Sequence, residues 1–235
     1  MRIGVFDSGV GGLTVLKELL MKYPDNEYIY YGDNKNAPYG DKTKEELMLL
    51  ATRIVRFFEN RKVDIIIIAC GTVSSNIYSE LKNITETPLY DIVSPTINYL
   101  NSANYKKVLL LATARTVDSK TFEKSLNNIT SIKCPLLVPL IEKREFKRAK
   151  EELEVYLKEV DKDIYDAVIL GCTHYPIIES TIQDFFPNKT IINMATILVN
   201  NLNIIPSKPS LEINFSKLNE EVEENINSIL NIINE

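Results

Sequence analysis

Val63-Asp64-Ile65-Ile66-Ile67-Ile68-Ala69-Cys70-Gly71-Thr72 and Tyr165-Asp166-Ala167-Val168-Ile169-Leu170-Gly171-Cys172-Thr173-His174-Tyr175-Pro176 decide the fold of this chain. Each carries a short apolar run rich in β-branched residues, which reads as a strand buried on both faces, as parallel sheets require. Each run ends in a cysteine followed closely by a threonine. The thiol then stands at the C-terminal tip of its strand, where open α/β sheets bind their ligands. Two thiols placed alike in two halves can face one substrate from opposite sides. That geometry suits a reaction that takes a proton from one face of a carbon and returns one to the other.

Working outward, strand and helix patterns alternate. Arg2 to Phe6 reads as a strand ending at Asp7-Ser8-Gly9-Val10-Gly11-Gly12, with a helix to about Tyr23. Glu27 to Tyr31 is a short strand ending at Gly32-Asp33. Thr43 to Arg61 is a long amphipathic helix, with Leu47, Leu50, Ile54, Phe57 and Phe58 near helical spacing. Val63 to Ala69 is the strand that carries Cys70, and Pro88 to Val93 is another. The cycle then restarts. Lys107 to Ala112 is a strand ending at Thr113-Ala114-Arg115-Thr116, and a helix follows from Ser119 to Asn127. Ile132 to Val138 reads as a strand broken by Pro135 and Pro139. Glu142 to Val160 is a charged helix, Ala167 to Gly171 carries Cys172, and Thr190 to Met194 is a further strand. From Ser207 the tail gives a strand pattern at Leu211 to Phe215 and a polar helix to Asn234. Its Glu220, Glu221, Glu223 and Glu224 read as a solvated face. The expected fold is α/β: two similar doubly wound α/β domains with mostly parallel sheets, facing each other across an active-site cleft. One continuous doubly wound sheet is the alternative.

Bulk numbers bound the function. The chain has 235 residues, 45% of them apolar, enough for one large core or two modest ones. A net charge of -5 argues against a nucleic-acid surface and against an anionic membrane. No apolar run approaches a membrane span, and the first residues lack the basic and apolar regions of a signal peptide, so the cytoplasm is the expected compartment. Three cysteines fit no zinc-finger spacing, and a single histidine, His174, excludes a metal site built on several. No metal is expected.

The chemistry would rest on the thiols. A free thiol ionises near pH 8.5, so a modest shift lets one act as base and the other as acid near neutrality. A carbanion formed beside a carboxylate needs donors, and Ser8, Thr72, Thr116 and Thr173 all lie in strand-to-helix loops. Helix N-termini after those loops add N–H groups suited to a carboxylate. Cys134, before Pro135, lacks that context and reads as core. Asp7 would hold a substrate ammonium or tune a thiol, or else Asp7-Ser8 would cap the first helix. The Gly9-Val10-Gly11-Gly12 stretch matches neither the dinucleotide fingerprint nor the P-loop, and reads as close backbone approach to a small anion. Ala37-Pro38-Tyr39-Gly40 is a tight turn by composition. His174, beside Cys172, would orient or tune it.

Several segments resemble the bacterial glutamate racemases of the aspartate/glutamate racemase superfamily. They are Ile3 to Thr14, Tyr31-Gly32-Asp33, Ala37-Pro38-Tyr39-Gly40, Cys134 to Glu142, and Leu170 to Pro176. The resemblance implies a cofactor-independent racemase, commonly a homodimer, that interconverts L- and D-glutamate for peptidoglycan synthesis. It implies that Cys70 and Cys172 exchange the roles of base and acid with direction. Asp7 and His174 would assist them, with Glu142 approaching the site. Ser8, Tyr39, Gly40, Thr72, Thr116 and Thr173 would hold the amino acid. The tail would fold back on the first domain, giving residues 1–94 with 207–235 as one domain and 95–206 as the other. The family commonly has Asn where this chain has Gly71, which loses an amide from the substrate contacts and opens the alternative of aspartate or another amino acid. A non-catalytic binding or regulatory homologue is a further alternative. A redox role is weaker, since there is no Cys-x-x-Cys.

Overall fold

The computed structural model describes residues 1–230. Its first half runs β1 (Arg2–Asp7), α1 (Leu13–Lys22), β2 (Glu27–Gly32), α2 (Lys44–Asn60), β3 (Ile65–Ile68), α3 (Gly71–Lys82), β4 (Leu89–Asp91) and α4 (Val93–Ser102). The second runs β5 (Val108–Ala112), α5 (Ala114–Ser119), α6 (Thr121–Ser125), β6 (Ile129–Lys133), α7 (Leu137–Glu142), α8 (Phe146–Tyr156), β7 (Ala167–Leu170), α9 (Glu179–Phe185), β8 (Thr190–Asn193) and α10 (Met194–Asn201). The tail adds β9 (Ser210–Phe215) and α11 (Glu220–Leu230). The part of the expected tail helix past Leu230 lies outside the described residues. Among these, no helix is long and apolar enough to cross a membrane.

The strands form two sheets, ordered β4-β3-β1-β2-β9 and β6-β5-β7-β8, and every pairing is parallel. Two sheets, and not one continuous sheet, carry the two cysteines. The isoleucine run of β3 shows why its sequence lacks polar alternation. Ile65 and Ile67 enter one hydrophobic core while Ile66 and Ile68 enter another, and all four are buried. Each such side chain contributes about 1.5–3 kcal/mol by leaving water. The first of these cores continues into the second sheet through Val108, Leu110, Ile169 and Ile192, so the halves share apolar packing as well as a cleft. Helices α1, α4 and α10 sit at that junction.

Helix α2 starts where Thr43 accepts the Glu46 N–H and the Glu46 carboxylate accepts the Thr43 N–H, a complete capping box. Three expectations are corrected. The strand expected over Ile132 to Val138 ends at Lys133, and the apolar residues after it begin α7, which tolerates Pro139 in its first turn because an N–H there has no helical partner. The helix expected from Glu142 to Val160 is shorter, α8 over Phe146–Tyr156, because Arg144, whose φ of 58° is left-handed, turns the chain after Glu142 ends α7. The helix expected over Ser119 to Asn127 likewise breaks at Lys120, with φ 57°. A left-handed residue that is not glycine leaves no sequence signal.

Candidate active site

The C-terminal ends of the two sheets point at each other. From the first come Ser8, the turn 37–41, Cys70, Gly71 and Thr72. From the second come Thr113, Ala114, Pro135, Val138, Glu142 and Gly171 to His174. Together they enclose about 30 Å³ of free volume, enough for one or two waters and too little for an amino acid. The halves are closed on each other and must part to admit a substrate. A larger groove of about 450 Å³, beside Tyr90, Asp91 and Tyr99, holds none of the residues singled out in the sequence.

Cys70 is the N-cap residue of α3, so its sulfur sits at the positive end of that helix. Its thiol donates to the Ser8 hydroxyl at 3.8 Å. Burial, and next the Asp7 carboxylate, push the Cys70 thiol up to about 12, against the Val73 N–H, which favours the thiolate. A smaller push comes from Cys172, so each thiol lies within the other's field.

Cys172 has different support. Its sulfur lies 3.6 Å from His174 Nδ1, and His174 Nε2 lies 2.9 Å from the Glu142 carboxylate. Burial works against a charged imidazole, but Cys172 and Glu142 outweigh it and hold His174 well above its ordinary range. Burial likewise opposes the Glu142 charge, and His174 overcomes it, so Glu142 titrates below the usual carboxylate range. The pair is an imidazolium–carboxylate arrangement aimed at one thiol.

Asp7 is fully buried behind the cleft wall. It accepts the Gly9 N–H at 3.1 Å and the Thr173 hydroxyl at 3.3 Å. Burial raises its pKa, against His174 and these donors. It does not cap α1, whose N-cap is Gly12 with no side-chain cap bond. The glycine loop holds no anion cradle either: side chains fill the space. A Cβ on Gly11 would stand 2.5 Å from the Thr173 hydroxyl and nearer still to the His174 ring. Thr116 also stands off the wall. It is tied to Thr113, whose hydroxyl bridges it to Thr72 across the cleft at 3.0 and 3.1 Å. Tyr39 and Gly40 lie on the wall, and the Tyr39 hydroxyl donates to Asp33 at 2.6 Å. Cys134 is core, and all three cysteines are free. Among the described residues, no cluster of three or more His, Cys, Asp or Glu is placed to hold a metal ion.

This arrangement matches known proteins over nearly the whole chain. The profile of the family described as Asp/Glu/hydantoin racemase matches residues 7–202. The chain belongs to that racemase family. A glutamate racemase of Hydrogenobaculum sp. is 34% identical, over 98% of this chain and 93% of its own length. The crystal structure of glutamate racemase from Campylobacter jejuni superposes with a TM-score of 0.90 at 31% identity, covering 99% of both chains. That of the Francisella tularensis enzyme, in complex with D-glutamate, gives 0.88 at 28% identity, covering 98% of this chain and 93% of that one.

Thr113 is among the residues on the wall of this racemase's cleft that sequence reasoning did not single out. Thr113 accepts the Thr116 N–H as the N-cap of α5, a position that the N-cap rule marks. Gly71 opens α3, and a Cβ there would stand 2.9 Å from the Gly171 carbonyl oxygen. The residues flanking the two thiols are therefore in backbone contact across the cleft.

Proposed function

We infer that this racemase interconverts L- and D-glutamate by moving a proton across the α-carbon between Cys70 and Cys172. The observation that carries the reading is the placement of both thiols on the wall of one closed cleft, each backed by its own buried polar partner. One thiolate breaks the Cα–H bond and keeps the proton, the electron pair spreads into the carboxylate, and the opposite thiol protonates the other face. The roles reverse with direction. Cys70 is held neutral by burial and by Asp7; a substrate ammonium in the cleft offsets the field of that carboxylate through the wall and lets the thiol ionise. His174 and Glu142 serve Cys172 in the same way, as a fixed positive partner for its thiolate. The first turn of α3 and the hydroxyls of Ser8 and Thr72 supply donors for the carboxylates, with Tyr39 shaping the wall and the backbone of Gly40 and Gly71 allowing close approach. Thr173, on the wall, donates to Asp7, and Thr116 braces Thr113 from behind it.

The division into residues 1–94 with 207–235 and residues 95–206 is part of this proposal, supported by the membership of the two sheets. The supply of D-glutamate to peptidoglycan synthesis follows from the family. A homodimer in the cytoplasm is proposed from the resemblance.

The test is circular dichroism of L- and D-glutamate turnover without added pyridoxal phosphate, together with uptake of solvent deuterium at the α-carbon. Cys70→Ser and Cys172→Ser should each slow racemisation by about 10²–10⁴-fold. A rate equal to the native one in either variant would end the two-thiol scheme. Faster turnover of aspartate would end the glutamate assignment.

A further inference from the structure

Glu142 lies between two cavities. One is the cleft. The other, of about 120 Å³, lies beyond it and is lined by Val10, Asn34, Asn219, Glu221, Val222 and Asn225. Its outer wall is α11, tied to α7 where Asn225 Nδ2 donates to the Glu142 carbonyl at 2.9 Å. Asn219 and Glu221, both exposed, stand at its mouth. The volume holds several waters, and the lining supplies carboxylates and amides to bind them. Exposure changes along the chain of contacts in the same sense: His174 is 2% exposed at the side chain and Glu142 25%.

We infer that Glu142 is served by its own solvent passage under α11, and that the His174–Glu142 pair gains and loses protons through it while the cleft is closed on substrate. The inference rests on the two-thiol reading and assigns to the second cavity a part in it. When a proton must leave, the Nε2–H bond of His174 breaks, Glu142 accepts the proton, and a water in the second cavity takes it from the carboxylic acid. The imidazole is left neutral, and uptake is the reverse. No oxidant or reductant enters. Cys70 has no counterpart to this route. Its hydroxyl partner, Ser8, opens into the same cleft that substrate fills, and the nearby Asp7 carboxylate is fully buried.

The passage can be read by chemical rescue. Glu142→Ala removes the carboxylate and leaves a hole reachable from the second cavity. The variant should lose about 10–100-fold in kcat. Added formate should restore most of that loss at saturating glutamate, without raising the KM for glutamate. Glu221→Trp, placed at the mouth, should lower kcat of the otherwise native enzyme without raising the KM for glutamate, and abolish formate rescue in the Glu142→Ala background. Glu142→Gln, which keeps a polar group beside His174 but cannot carry a proton away, should lose kcat without formate rescue and serves where the alanine chain does not fold. Rescue that competes with glutamate, rescue that survives Glu221→Trp, or no rescue of Glu142→Ala would each overturn the passage, as would a native kcat in Glu142→Gln. These outcomes are separate from failure of the two-thiol reading, which would show as native rates in the cysteine variants.

Discussion

Cys70 carries a thiol that its surroundings hold protonated. Its pKa rises from 9.0 to about 12, first by burial and then by the Asp7 carboxylate. The sign of the pH effect follows. Between about pH 9 and 12 the native chain keeps this proton while the unfolded chain gives it up, so the thiol's contribution to stability is intact below pH 9 and is lost as pH rises through that window. The same neutrality blunts reactivity, because the thiolate is the nucleophile. Alkylation of Cys70 by iodoacetamide at pH 8, followed by peptide mass spectrometry, should run at least about tenfold slower in the ligand-free native chain than in urea. Asp7→Asn should speed it at the same pH. An unchanged rate in Asp7→Asn would show that burial alone sets the thiol. At this scale the sequence was informative for chemistry-bearing residues at strand tips, since the strands themselves were legible. It could not say that Asp7 faces a thiol and Thr173 instead of capping a helix, because that pairing joins residues 166 positions apart.

The elements show where local pattern suffices. The boundaries of α2 were legible to within a residue because a capping box and an amphipathic stripe agree. Those of α7 and α8 were not, because Arg144 reverses the chain with no glycine to mark it. The loop between β1 and α1 misled in a different way. Its glycines suggested a bound anion, and their use is to let side chains of the second half come in: Thr14 donates to the Thr173 carbonyl at 3.0 Å, and Gly11 lies beneath His174. Gly11→Ala should therefore move His174 away from Cys172. A displacement of about 1 Å costs on the order of 10²-fold in rate. Urea unfolding should shift far less than the rate, since the loop contact lies outside the main cores. An alanine variant with native kcat would show that the ring has room to move.

At the scale of the molecule, two parallel sheets meet at their ligand-binding edges, and the alternation of strand and helix made that legible. The degree of closure was not legible, because it is set by side chains packing between halves. The hydroxyl bridge from Thr72 through Thr113 and the close approach of Gly71 to the Gly171 carbonyl hold the cleft too small for an amino acid in this arrangement. The order of strands has a second result. Strand β9 pairs with β2, and the Phe215 ring lies against Tyr30. Deleting residues 207–235 should leave β2 as a bare edge and uncover the face of α1 that packs on α11. The truncated chain should lack the cooperative urea transition of the whole chain, followed by tyrosine fluorescence since there is no tryptophan. A native-like transition would show the four remaining strands to be self-sufficient.

That pairing also sets a timetable for synthesis. The ribosome delivers the neighbours of β9 first, then the entire second sheet, and only afterwards the strand that completes the first. The first sheet is thus completed only after both cysteines have emerged. A chain made only as far as residue 206 already bears both cysteines and still lacks the fifth strand of the first sheet and the Asn225 contact to Glu142.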